Sequence, residues 1–234
     1  MSDVSLRVPS GLGEFLAAEA LQRTVWGEGD KEDPADLMMV IQSEGGLVAG
    51  AFSGDELVDY VFGFPARETN VQHSHRLAVH PKARGAGLAV RLKFFQRSWC
   101  LSHGITLVRW TFDPLLAANA SFNLVRLGVR IVDFLPNCYG ERRDAFNTGD
   151  VTDRVEVSWQ LDHPVGGAWL PSTGRDVISV PGDYQRLRTT DITAADQLRR
   201  DIGAALADVF RSGRTIAGLT RLDDGVAYLI GAER

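Results

Sequence analysis

The chain is poor in cysteine, has no excess of positive charge and contains no long apolar run. Two cysteines in 234 residues, Cys100 and Cys138, are too few for a disulfide framework and are expected as free thiols of a reducing compartment. Cys100, next to Trp99, is expected as a small apolar filler of a helix. The net charge of −5 argues against a general nucleic-acid binder, which needs clustered cations. No apolar stretch approaches the roughly 20 residues of a membrane helix, and MSDVSLRVPSGLGEF lacks the basic-then-apolar pattern of a secretory signal. The expectation is a soluble cytoplasmic protein with no nucleic-acid and no membrane partner. Metal is not expected either, because His73 and His75 have no third ligand nearby.

What is present reads as an α/β (α+β) chain long enough to bury a real core. Val4 to Val8 alternates as a strand. Leu12 to Trp26 follows as a helix with Leu12, Phe15 and Leu16 in its stripe. Gly27 to Asp33 reads as a polar loop, and Asp33-Pro34 as a helix start. That helix carries Leu37, Met38 and Ile41 and is stopped by Gly45-Gly46. Leu47 to Phe52 and Leu57 to Phe64 form a hairpin around Ser53-Gly54-Asp55-Glu56. Val71 to Val79, Ile105 to Phe112, Val129 to Leu135 and Val151 to Leu161 are further strands. A helix with Leu116, Ala120, Leu124 and Leu127 on one face begins at Asp113-Pro114, and Pro136 to Asp150 reads as a polar loop. From His163 the composition changes. Pro164, Gly166, Gly167, Pro171 and Gly174 mark a linker, followed by a strand Val177–Val180, a helix Thr193 to Phe210, and short strands Thr215–Leu219 and Val226–Ile230. The expected division is 1–162 and a small extension, 163–234.

The organising stretch is His73 to Arg97. An apolar run, Leu77-Ala78-Val79, passes through Pro81 into a small basic turn, Lys82-Ala83-Arg84-Gly85-Ala86-Gly87. A helix pattern follows, with Leu88, Leu92, Phe95 and Trp99 on one face. Strand, glycine turn and helix present unpartnered backbone N–H groups and the positive end of a helix dipole to an anion. The stretch is not a P-loop, which needs four residues between its glycines and then Lys-Ser/Thr. It is not a dinucleotide fingerprint either, because Val90 stands where the third glycine belongs. Lys82 and Arg84 are candidates to meet a phosphate, whereas Lys93 and Arg97 are expected on a solvated helix face.

Arg84-Gly85-Ala86-Gly87-Leu88-Ala89, preceded by L-A-V-H-P, resembles the Q/R-x-x-G-x-G/A signature of the GNAT acyltransferase superfamily. The order of elements through Leu161 agrees with it. The resemblance implies a mixed, mostly antiparallel sheet with splayed central strands, flanked by helices. It also implies that the turn binds the diphosphate of acetyl-CoA or another acyl-CoA. The cofactor-binding residues would be Leu77, Ala78, Val79, Lys82, Arg84, Gly85, Ala86, Gly87, Leu88, Ala89 and Val90, with Asn119 a candidate contact to the pantetheine arm. Asn119 as a plain helix-start or surface residue is the alternative. The implied activity is acyl transfer, acetyl by default, to the primary amine of a small molecule or amino acid. Trp110 to Gly128 also resembles a bacterial GNAT group with a C-terminal extension, some members of which are associated with N-succinylation. There a succinyl carboxylate would need an arginine such as Arg109 or Arg126. The tail would cover the acceptor, extend the sheet or form a homodimer interface.

Such a transfer needs a base for the amine, a polarised thioester carbonyl and a proton for the leaving thiolate. His73 and His75 are candidate bases. A two-residue period puts them on one strand face in line with Leu77 and Val79. The string H-S-H-R-L-A-V-H resembles the aralkylamine N-acetyltransferases, which implies proton removal by two histidines. Structural strand histidines are the alternative. The position of the family's usual tyrosine acid is Leu124. Tyr139 is the candidate substitute, with a packing role as its alternative. The missing tyrosine also keeps a non-catalytic acyl-CoA sensor open.

Overall fold

In the computed structural model the described residues are 4–27, 31–140, 142–143, 148–173 and 175–232. Part of the loop expected after Gly27, part of the loop before Asp150, and Gly174 of the linker lie outside them. The chain divides into two compact units, residues 1–109 with 143–148, and residues 110–142 with 149–234. The division falls inside one strand.

The first unit holds β1 (Val4–Arg7), α1 (Gly11–Trp26), α2 (Ala35–Ser43), β2 (Leu47–Ser53), β3 (Glu56–Pro65), β4 (Val71–Val79), a 3-10 turn (Pro81–Ala83), α3 (Leu88–Ser102) and the start of β5 (Leu107–Phe112). β1 to β4 pair antiparallel in sequence order, and β5 lies parallel beside β4. The sheet is therefore mixed and mostly antiparallel. One apolar cluster joins α1 and α2 to one sheet face through Phe15, Leu21, Met38, Phe52, Tyr60 and Phe62. Another joins α3 to the opposite face through Leu47, Val61, Leu88 and Leu92. The buried row of α1 is Phe15, Ala18, Leu21 and Gln22, while Leu12 and Leu16 are exposed. That corrects the expected stripe by a rotation of the helix. In α2 Met38 is buried, but Leu37 is exposed.

The second unit holds the end of β5, α4 (Ala117–Ala120) continued by a π-helical turn (Ser121–Leu127), β6 (Arg130–Leu135), β9 (Arg154–Gln160), β10 (Val177–Pro181), α5 (Tyr184–Thr190), α6 (Ile192–Arg211), β11 (Thr215–Leu222) and β12 (Gly225–Gly231). The residues expected as a loop from Pro136 to Asp150 include two short strands, β7 (Arg142–Arg143) and β8 (Thr148–Asp150), paired with each other. The order β5-β9-β6 and a separate antiparallel sheet β10-β12-β11 make up the rest. Asp113-Pro114 does not open α4. The Asp113 carboxylate instead accepts the Leu115 N–H at 2.9 Å, closing a local Asx turn that delays the helix to Ala117. The short helix α5 lies between the strand and the helix expected from Thr193, where the sequence pattern assigns no element, and it buries Tyr184.

Arg199 of α6 is buried. It donates to Asp113 Oδ2 at 2.7 Å and to the Tyr184 hydroxyl at 3.2 Å. The Tyr228 hydroxyl donates to the Pro114 carbonyl at 2.8 Å. The residues after 163 are thus fastened to the segment that starts α4. Among the described residues no helix is long and apolar enough to cross a membrane.

Candidate active site

β4 and the turn after it carry the site. β4 pairs with β5 at Val71↔Leu107, Gln72↔Val108 and His73↔Arg109. Its pairing with β3 continues to Val79. From Ser74 onward one edge of β4 is therefore released within this unit, and the main-chain groups pointing that way are available to an extended ligand. At its end the His80 ring accepts the Lys82 N–H at 3.2 Å and starts the 3-10 turn.

Gly85 and Gly87 have φ of 81° and 74°, left-handed values that cost a side-chain-bearing residue about 1–2 kcal/mol. A Cβ at either would meet nothing within 4 Å, so the space over the turn is open. Gly87 is also the N-cap of α3. The Arg91 N–H closes onto the Gly87 carbonyl at 3.1 Å, so the N–H groups of Leu88, Ala89 and Val90 precede the first helical bond. Ala83 and Leu88 are buried anchors, while Lys82, Arg84 and Ala86 are exposed around the turn. This donor set of main-chain N–H groups, two cations and two glycines without side chains fits a diphosphate.

The histidines depart from the expected geometry. Pairing of β3 with β4 shifts between Phe62↔Arg76 and Gly63↔Ser74, which leaves His75 as the extra residue of a β-bulge. A bulge interrupts the alternation of faces. Gln72 and Ser74 meet side chains of α3. Leu77 and Val79 pack with the cluster under α3. His73, His75 and Arg76 lie on the opposite face, beside Phe62, Phe64 and Trp26. The expected alignment of His73 and His75 with Leu77 and Val79 is corrected by this bulge. The two histidines themselves are together, with ring centroids 6.1 Å apart, and Phe64 lies 5.1 Å from His73 and 5.7 Å from His75.

Burial, then the charges of His75, Arg109 and Lys93, push the His73 imidazole down to about 4, so it is neutral at pH 7. His75 is more open, and its Nε2 lies 3.2 Å from Asp33 Oδ1. Burial works to raise the Asp33 carboxyl, but the His75 hydrogen bond and the charges of His75 and Arg76 outweigh it and hold the group below its usual range.

Behind β4 lies a polar group that was expected in solvent. Lys93 is 2% exposed. It donates to Ser74 Oγ at 2.9 Å and to Gln96 Oε1 at 2.8 Å. Gln96 donates on to Gln72 Oε1 at 2.7 Å, and the Cys100 thiol approaches the same oxygen at 3.4 Å. Burial pushes the Lys93 ammonium down to about 7 and the Cys100 thiol up to about 12. Lys93, Gln96 and Cys100 share one helical row, opposite the Gln72 and Ser74 alternation in β4. That double polar pattern was the signal in the sequence. Arg97, expected on the same solvated face, is half-buried. Asp59 of β3, paired with Val79, is fully buried, and neither carboxyl oxygen has a hydrogen bond of good geometry. Burial pushes it up to about 8, with slight relief from the Tyr60 N–H. Nothing in its sequence neighbourhood marked it.

Arg109 is paired with Glu68 at 3.0 Å. In the second unit, Tyr139 is exposed, its hydroxyl 2.8 Å from Thr111 Oγ1. Asn119 is exposed on α4, and its carbonyl accepts from Asn123. Arg126 is exposed. Leu124 is buried in the π-helical turn. Asn123 in that turn accepts from the Trp110 indole at 3.1 Å. Among the described residues, no three His, Cys, Asp or Glu side chains converge as a metal site requires.

Comparison with solved structures decides the fold. The ribosomal-protein-S18-alanine N-acetyltransferase from Escherichia coli superposes with a TM-score of 0.55 at 12% identity, over 72% of this chain and 100% of that one. This chain has the GNAT fold. An aminoglycoside 6'-N-acetyltransferase complexed with coenzyme A superposes with a TM-score of 0.53 at 16% identity, over 69% of this chain and 98% of that one. An N-acetyltransferase from Staphylococcus aureus Mu50 gives 0.54 at 13% identity, over 69% and 100%. No family model matches the sequence, and no curated protein matches it. The likeness to these structures is one of backbone, at 12–16% identity.

Proposed function

We propose that the protein is an acyl-CoA-dependent N-acyltransferase, moving an acyl group, acetyl by default, to a primary amine of a small molecule or amino acid. The observation that carries this is the open glycine turn at the head of α3, joined to the released edge of β4, in a GNAT fold. Leu88, Ala89 and Val90 would offer N–H groups to the diphosphate, with Lys82 and Arg84 beside it. The main chain of Leu77, Ala78 and Val79 would pair with the pantetheine arm, and one of these N–H groups would polarise the thioester carbonyl. Asn119 would meet the same arm.

His75 is the better base. It is exposed and hydrogen-bonded to a carboxylate, whereas burial leaves His73 a weak base that stays neutral and is suited to relay. The amine attacks the thioester carbonyl, its proton passes to the imidazole, and the thiolate departs. Tyr139 is the candidate donor to that thiolate. Residues 1–162 would carry the reaction and 163–234 would be an appended part. The enzyme would act in the cytoplasm. A succinyl donor would need a cation for its carboxylate. Arg109 would have to exchange Glu68 for it, whereas Arg126 is exposed. Leu124, buried where the family carries its tyrosine, favours the non-catalytic sensor as the second reading.

The test is free-thiol release from acetyl- and succinyl-CoA with a panel of amines, beside calorimetry of coenzyme A. Turnover with any amine supports the enzyme. Binding without turnover leaves the sensor, and no binding defeats both. Gly87→Val should weaken coenzyme A binding at least about tenfold, by filling the space over the turn, for a stability loss of about 1–2 kcal/mol from the left-handed φ.

A further inference from the structure

We propose that Asp33 is a positioning residue for His75, holding the imidazole in the tautomer that leaves Nδ1 free to take the proton of the amine. The proposal rests on the acyltransferase reading for its catalytic part. Asp33 was expected only as a helix cap before Pro34. The side chain makes no cap for α2 and turns to β4 instead.

Three contacts hold it there. The buried Gln22 of α1 clamps its main chain, accepting the Asp33 N–H at 2.8 Å and donating to the Asp33 carbonyl at 3.2 Å. Arg76 Nε lies 2.9 Å from Asp33 Oδ2. Arg76 is itself fixed, donating to the Lys31 carbonyl at 2.7 Å with its guanidinium 4.8 Å from the Trp26 ring centroid. One carboxylate oxygen is thus neutralised, and the other, Oδ1, is aimed at His75 Nε2, 3.2 Å away.

The bulge in β4 brings this about, because it puts His75 and Arg76 on one face, where a single carboxylate reaches both. A neutral imidazole whose Nε2–H is held by a carboxylate has its free lone pair on Nδ1. The carboxylate also stabilises the imidazolium that forms when the proton arrives, as an orienting acid does for histidine in hydrolytic triads. The remaining flanks of the ring are Phe62 and Phe64, and the charged or titratable neighbours are Asp33, Arg76 and His73. Oriented this way, the base lies between two apolar rings.

The test is the tautomer of neutral His75 by nitrogen-15 NMR in the full chain, in wild type and in Asp33→Asn. The wild type is expected to carry the Nε2–H tautomer. Asp33→Asn should lose that preference and carry a mixture of the two tautomers. It should also lower kcat about tenfold or more and leave KM for acyl-CoA unchanged. A wild-type His75 in the Nδ1–H tautomer overturns the proposal without any variant. So does a folded Asp33→Asn protein whose His75 keeps the wild-type tautomer. A change of tautomer with kcat unchanged overturns the catalytic part. Failure of the wild type to turn over any amine would defeat the acyltransferase reading, while the tautomer of His75 would still decide whether Asp33 orients it.

Discussion

The two compact units treat buried charge in opposite ways. In the second, Asp113 and Arg199 are buried together, joined at 2.7 Å, and Arg154 approaches the same carboxylate at 3.6 Å. In the first, Asp59 has no such partner among the described residues, and the buried Lys93 ammonium donates to Ser74 and Gln96. Paired burial locks a scaffold, because each ion's desolvation is offset by the other. Burial without a counter-ion is costly and shifts the group toward its neutral form. It occurs here in the unit that also has the released strand edge and the open glycine turn. Departures from local rules gather where a protein does something other than fold.

The largest expected effect breaks the pairing in the second unit. Arg199→Ala should destabilise the chain by about 3–5 kcal/mol, because it leaves the Asp113 carboxylate buried with its main partner gone. A denaturant melt that moves by less than 1 kcal/mol would erase the contrast with Asp59.

An intermediate effect comes from Asp59 itself. Its folded pKa, raised to about 8 from the ordinary 3.8 by burial, means that between these pH values the folded state holds a proton which the unfolded state has released. The group's favourable contribution is present in full below about pH 4 and is lost as pH rises toward 8. Asp59→Asn should therefore raise stability relative to wild type by a few kcal/mol near pH 8, at about 1.4 kcal/mol per pKa unit, and leave it little changed near pH 4. Lys93 has the opposite sign. Its pKa is lowered to about 7, so its contribution grows as pH rises from about 7 toward 10.5 and is absent in acid. Thermal melts of wild type and Asp59→Asn across pH 4 to 9 check this, and parallel curves would show that Asp59 finds a partner.

The smallest effect sharpens the rotation of α1. Leu16→Ser should change stability by no more than about 0.5 kcal/mol, since Leu16 is 47% exposed. Phe15→Ala one position earlier should cost about 3–5 kcal/mol, since Phe15 is 3% exposed. Similar losses at both positions would restore the expected stripe.

Strand β4, the turn and α3 were legible residue by residue. Their signals are local: an apolar run, two glycines at left-handed φ, and a 3.6-residue period. The extension's strands and its long helix were legible for the same reason. The sides on which β4 displays its residues were not. Two-residue alternation holds only while a strand keeps register, and the bulge at His75 is set by pairing with β3. Lys93 looked like a surface residue because the partners that solvate it, Ser74 and Gln96, come together only when α3 packs on β4. Asp33 looked like a cap because Asp favours the cap and proline the first helical position, and its contact with His75 spans 42 positions.

By itself the sequence determined most of the strands and helices, α5, β7 and β8 apart, and where the glycine turn before α3 stands. Those features follow from side-chain period and from what glycine and proline allow the backbone. Tertiary structure alone decided which face of β4 carries the histidines, which carboxylate reaches them, and which charges are buried. Each depends on register and packing between segments distant in the chain, where one extra residue in a strand exchanges inside for outside.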